Sequence, residues 1–249
     1  MVWCTMSFRT KKTQKQHLEI GSLLPDRSFS SLKNKFGLIQ DWVSEKCVLT
    51  FLPDRQNEHQ TDEFKKINPF SLVPVVDDDG FLLTESMAIL KYVIGKYELG
   101  DHWFPQHNLK KQARVEEYLH WHQFNTRGMC ASLFQQLLII PKSTGKPVNQ
   151  EEVEKMRKKV SEVLKQLETY FLKTQTYIGG GNEVSIADLF AVCELMQLYA
   201  CHEHSLYEKS PIIKAWMDRV KNDTNPYFDE AHKIIYRTFD VYKQIASKL

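Results

Sequence analysis

NPFSLVPVVDDDGFLLTES, running from Asn68 to Ser86, spells a strand pair, a tight turn and a helix start in one short window. Val73-Pro74-Val75-Val76 is short and β-branched, Asp77-Asp78-Asp79-Gly80 follows, and Phe81-Leu82-Leu83 resumes the apolar run, which predicts a β-hairpin. Gly80 supplies the positive φ that a tight turn often needs. Thr84-Glu85-Ser86 then leads into Met87, Ala88, Ile89, Leu90 and Tyr92 at helical spacing, so Ser86 falls at or beside a helix N-terminus. Free N–H groups and the helix dipole at such a place favour a carboxylate. Pro74 cannot donate to a ladder, so it marks an edge or a point where Val73 turns its backbone outward to pair with an extended peptide, and a cis bond is open to it. The alternative for this window alone is an ordinary hairpin followed by a capped helix.

Around this window, the 249 residues suit one large or two modest domains, and 42% hydrophobic residues are enough for a real core. The net charge of +2 gives no global field that would point to nucleic acid. Five cysteines, Cys4, Cys47, Cys130, Cys193 and Cys201, are odd in number and lack CxxC spacing, which argues against a disulfide framework or structural zinc and for a reducing compartment. No apolar stretch reaches the roughly 18 residues of a membrane span, and the first residues lack the basic-then-apolar order of a signal peptide, so a cytoplasmic protein is expected. The last residues, Ser247-Lys248-Leu249, match the tripeptide read by the peroxisomal import receptor, against a helix end that carries Lys and Leu for local reasons.

Residues 47–52 read as a strand and Thr61 to Ile67 as a short helix, ahead of the hairpin and the helix from Ser86 to Tyr97. The domain plan is a segment 1–46, an α/β part 47–97, a linker 98–106 with the glycine and proline of a connection, and an all-helical part 107–249. In that last part Leu109 to Ile140 reads as one long helix, Pro141 to Pro147 breaks it, and Glu151 to Leu172 carries Val153, Met156, Val160, Val163, Leu164, Leu167 and Phe171 on one face. Gly179-Gly180-Gly181 precedes no lysine of the phosphate-loop kind, whereas Ser185-Ile186-Ala187-Asp188 matches a capping box at the head of an apolar helix running to Tyr199.

The Val73-Pro74 and Glu85-Ser86 pairs, the Ser185 capping box, Trp103-Phe104-Pro105, residues 113–121 (ARVEEYLHW) and Phe228-Asp229-Glu230-Ala231-His232 together resemble the theta class of cytosolic glutathione transferases over about residues 53–240. The resemblance implies a thioredoxin-like α/β N-terminal domain and an all-α C-terminal domain, a homodimer, and glutathione as co-substrate with no other cofactor and no metal. It implies that the Val73 backbone beside Pro74 binds the cysteinyl part of glutathione, that Glu85 and Ser86 bind its γ-glutamyl end, and that His59 lies near its glycyl end. Arg127, on the second-substrate side, would stabilise a leaving anion or simply solvate its helix. The implied reaction adds glutathione thiolate to small electrophiles, displacing halide or sulfate or reducing a hydroperoxide.

Residues 1–46 depart from the pattern, because the strand ending in a serine and followed by Gln-Pro is missing. The nearest replacement takes Leu18 to Leu24 as first strand, Pro25-Asp26-Arg27 as loop and Phe29, Leu32, Phe36, Ile39 and Val43 as one helix face, with Ser28 at the loop end as the activating hydroxyl. A thiol with pKa near 8.5 is mostly protonated at neutral pH, so such a donor is what biases the sulfur toward the reacting thiolate. Two alternatives stand beside the enzyme: a non-catalytic binding or scaffold relative that lost this hydroxyl, and a redox protein in which Cys4 acts. His202 and His204, with Cys201 and Glu203, would bind zinc only if a turn gathered them; otherwise they are side chains suited to a helix C-terminus.

Overall fold

The structure is a computed structural model that describes residues 7–10, 47–50, 58–78 and 80–246. The chain divides after Leu99 into two compact units.

The first is a thioredoxin-like α/β unit. Ser7–Thr10 (β1) pairs antiparallel with Cys47–Thr50 (β2), with Ser7 opposite Thr50, and β1 also lies alongside β3 (Val75–Asp78). The expected strand 18–24, the helix after it and Ser28 lie outside the described residues. The strand at Ser7–Thr10 was not predicted. A 3₁₀ turn at Glu58–Gln60 leads to α1 (Asp62–Ile67), whose N-cap Thr61 accepts from the Phe64 N–H and whose one buried residue is Phe64. Strands β3 and β4 (Phe81–Thr84) form the hairpin, and α2 (Ser86–Lys96) follows directly, burying Ile89, Leu90, Val93 and Ile94. The strand starts two residues later than the β-branched run suggests and takes in Asp77 and Asp78, and Gly80 stands at φ 91° just before β4.

The second unit is helical. Its α3 (Leu109–Phe124) starts at the Asn108 cap and stops at Asn125, where φ −104° and ψ −93° break the spiral and the Asn125 amide donates to the Trp121 carbonyl at 2.7 Å. The single helix expected from Leu109 to Ile140 is therefore several: α4 (Thr126–Phe134), a π-helical turn at Gln135–Ile139 and α5 (Ile140–Thr144). Pro141 explains the π turn, since its ring lacks an N–H and crowds the carbonyl four residues back, Leu137, which the wider turn carries aside. Gly145 ends α5 at φ 68°. Helix α6 (Gln150–Gln166) buries Val153, Met156, Val160, Val163 and Leu164 on the predicted face. Helix α7 (Ile186–Ala200) is buried almost all round and packs against α3, α4 and the C-terminal α11 (Lys233–Ala246). The short α8 (Ser205–Glu208), α9 (Pro211–Thr224) and α10 (Tyr227–Ala231) complete the unit. Among the described residues no helix is long and apolar enough to cross a membrane.

Candidate functional site

The hairpin register sets Val75 opposite Thr84. The ladder ends at that pair, with Val73-Pro74 leading into β3 and Glu85-Ser86 leading out of β4 at the same, open end of the hairpin. The Val73–Pro74 bond is cis. The Val73 side chain is buried in a cluster with Phe64 and Val75. The loop that delivers it is tied down by Asn68, fully buried at the end of α1. Its amide donates to the Leu72 carbonyl at 2.6 Å and its side-chain oxygen accepts from the Phe70 N–H at 3.1 Å.

On the other side of the same opening, Glu85 sits at φ 67°, ψ 112°, a conformation that a residue with a Cβ adopts only under constraint. Its side chain makes no capping hydrogen bond, and its carbonyl accepts from Ile89 at 2.9 Å to start α2. Ser86 is the first helical residue and is half-buried. Helix N-termini carry partial positive charge, so an exposed carboxylate on Glu85, a serine hydroxyl and the helix head form a mixed polar rim suited to a group bearing both an amine and a carboxylate. His59 lies in the 3₁₀ turn ahead of α1, half-buried.

The turn end of the hairpin is fastened too. Asp78 accepts hydrogen bonds from the Tyr92 hydroxyl and the Lys96 ammonium, both on α2, and the Phe81 ring lies 5.3 Å from that of Tyr92. Burial pushes the Asp78 carboxyl up, but the bonds from Lys96 and Tyr92 and the charge of Lys96 outweigh it and hold it below the ordinary carboxylate range.

In the helical unit, Arg127 stands in the first turn of α4 with its side chain 45% exposed, and it donates at 3.2 Å to Glu194 of α7, whose side chain is only 3% exposed. Gln197 donates to the other Glu194 oxygen. Beneath it the Thr126 hydroxyl meets Tyr118 at 3.2 Å and His122 Nδ1 at 3.0 Å. Among the described residues no group of three His, Cys, Asp or Glu side chains could hold a metal. His202 bonds through Nε2 to the Phe239 carbonyl at 2.9 Å, and Glu203 takes two bonds from Arg157 Nε at 3.1 and 3.0 Å, so this cluster ties α11 and α6 to the end of α7.

The family models described as the glutathione S-transferase N-terminal and C-terminal domains match residues 49–94 and 130–223. Mouse glutathione S-transferase theta-3 is 35% identical over 219 residues, covering 82% of this chain and 90% of that protein. The chain belongs to the theta-class glutathione S-transferases. Among solved structures, human glutathione transferase theta-2 in complex with glutathione and an unknown ligand aligns at 37% identity and TM-score 0.67, covering 76% of each chain. A human theta-class transferase in complex with the glutathione conjugate of 1-menaphthyl sulfate aligns at 31% identity and TM-score 0.70, covering 88% of this chain and 87% of that one.

In this theta-class chain three residues that support the candidate side chains, two in the first unit and one in the helical unit, escaped the sequence reading. Asn68 opens the deciding window, but only its burial reveals it as the staple of the Val73 loop. In the sequence Asp78 reads only as part of the Asp77-Asp78-Asp79-Gly80 turn, although Tyr92 and Lys96 at helical spacing of four are a signal that one acceptor could bridge both. Glu194 is an acid in the middle of a largely apolar helix, past the Asp188 cap, a pattern that calls for a buried partner.

Proposed function

We propose that this theta-class glutathione S-transferase holds glutathione at the open end of the hairpin and joins its sulfur to small electrophiles. The observation that carries the reading is the hairpin register, which sets the chain entering β3 from Val73-Pro74 and the chain leaving β4 into the Glu85-Ser86 helix start at one end of the hairpin. Val73 would pair with the cysteinyl backbone, Ser86 and the head of α2 would take the γ-glutamyl carboxylate, Glu85 the γ-glutamyl amine, and His59 the glycyl carboxylate. A hydroxyl hydrogen bond to sulfur, assigned to Ser28, would keep the thiolate populated near neutral pH. The thiolate attacks an electrophilic carbon, the carbon–sulfur bond forms, and the bond to halide or sulfate breaks with its electron pair leaving on the anion. Arg127 would meet that anion. A half-exposed guanidinium anchored by a buried carboxylate supports this, as does the human theta-class relative bound to the glutathione conjugate of a sulfate ester.

The test is glutathione affinity by calorimetry with turnover of an alkyl halide, a sulfate ester and a hydroperoxide. Ser86→Ala should weaken glutathione binding about tenfold, and Ser28→Ala should lower turnover while leaving affinity intact, because a bond made to the reacting thiolate counts in the transition state. Arg127→Ala should depress sulfate displacement more than hydroperoxide reduction. Retained affinity in Ser86→Ala would remove the site from this end of the hairpin. The scaffold alternative predicts glutathione binding without turnover, and no observation favours it over the enzyme. Homodimer formation and cytoplasmic residence belong to the same reading and are checked by light scattering and cell fractionation. Import through Ser247-Lys248-Leu249, which lie outside the described residues, is checked by a fluorescent fusion that leaves the tripeptide terminal.

A further inference from the structure

We propose that Asp78 is a positioning residue for glutathione: by joining the turn end of the hairpin to Tyr92 and Lys96 of α2, it fixes the opening between Val73 and Ser86 at the other end. This rests on the reading of that opening as the glutathione site.

The geometry is that of a lever. Strand β4 runs from the turn to the site, the chain reverses at Glu85, and α2 runs back along the hairpin. A four-residue strand spans roughly 10 Å between its end residues, and the six helical steps from Ser86 to Tyr92 rise roughly 9 Å, so Tyr92 comes level with the turn. Lys96, one turn further on, reaches the same carboxylate from the same helix face. The hairpin and α2 are thus joined covalently at Glu85 and, at the far end, through Asp78 beside the Phe81–Tyr92 ring contact.

Glu85 is the pivot. A non-glycine residue stays at φ 67° only when its surroundings over-determine it. The link at Asp78 is one such constraint, because rotation of Glu85 toward ordinary φ would swing β4 away from α2 and pull Asp78 from its two donors. Releasing the link lets that rotation begin, and Val73 and Ser86, on opposite sides of the pivot, then change their separation. Two groups that must grip one tripeptide lose affinity when their spacing is no longer fixed, since the ligand has to order what the protein left loose.

Asp78→Asn, Asp78→Glu and Lys96→Met test this, with Ser86→Ala as the reference for the site itself. Glutathione dissociation constants and the KM and kcat for glutathione are measured well below each variant's thermal midpoint. The expected result is a rise of about fivefold or more in Kd and KM for glutathione in Asp78→Asn, with kcat at saturating glutathione and the KM of the electrophile within about twofold. Asp78→Glu, which keeps the charge, recovers part of the loss. Lys96→Met shifts the same constants in the same direction and gives the reading if Asp78→Asn does not fold. Asp78→Asn, or Lys96→Met in its place, that lowers the midpoint yet binds glutathione as the parent does, while Ser86→Ala binds weakly, overturns the positioning role and leaves the site standing. Unchanged affinity in Ser86→Ala overturns the site and the positioning role together.

Discussion

Asp188 and Asp78 are both carboxylates that gather donors from distant parts of the chain, one in each unit, and the contrast between them separates stability from geometry. Asp188 is fully buried and accepts from the Ile178 N–H at 2.8 Å, the Ser185 N–H at 2.9 Å, the Ser185 hydroxyl at 2.7 Å and Trp216 Nε1 at 2.8 Å. Burial pushes its carboxyl above the ordinary value, and the Ile178 and Ser185 backbone bonds with those from Trp216 and the Ser185 hydroxyl pull back only part of the way. Asp78 has two side-chain donors and lies near the surface, so its carboxyl is held low instead. A hub surrounded by protein determines whether the helical unit folds, whereas a link at the edge determines how two elements are angled.

The comparison breaks first at Asp188. Asp188→Ala leaves four donors without their acceptor inside the core and should cost on the order of 3–5 kcal/mol, read by urea unfolding. A loss no larger than that of Asp78→Asn would erase the distinction. The helical unit also holds a buried histidine, His232, whose burial pushes its pKa down to about 3, while Nδ1 donates to the Phe228 carbonyl at 2.8 Å. Its folded value lies below its unfolded one, so the stability it confers is complete above about pH 6.5 and is lost as pH falls from there toward 3, by about 1.4 kcal/mol per unit. His232→Asn should flatten that slope between pH 6 and 4 in a series of urea titrations.

Smaller effects sharpen the picture on the side of the site. Asn68→Ala removes two bonds from the Val73 loop and should cost about 1–3 kcal/mol, with a measurable rise in the KM for glutathione. Glu85→Gly relieves the positive φ and should stabilise the fold by about 1 kcal/mol while weakening glutathione binding, read as a higher thermal midpoint with a larger Kd. A variant both less stable and tighter binding would contradict the idea that strain at Glu85 serves the site.

Local pattern made much of this legible. The hairpin, the helix from Ser86, the apolar face from Val153 to Leu164 and the Ser185 cap each depend on residues within a few positions of one another, and the theta-class family and fold followed from those motifs. The long helix expected from Leu109 to Ile140 failed at Asn125, where the apolar spacing continues across the break, and the stop expected at Pro141 came only at Gly145, because the π turn before the proline accommodates its ring. The strand at Ser7–Thr10 failed for a different reason: four residues paired with a strand near residue 50 leave no periodic signature of their own.

The sequence by itself therefore determined the family, the two kinds of unit and the residues at the open end of the hairpin, because spacing along a strand or helix fixes which side chains share a face. Only the tertiary structure decided that Asn68 staples the Val73 loop, that Asp78 joins the hairpin to α2, that Glu194 anchors Arg127 and that Glu85 bears the strain. Each of these depends on partners brought together by packing and on the loss of water around them, and neither is written in any short stretch of the chain.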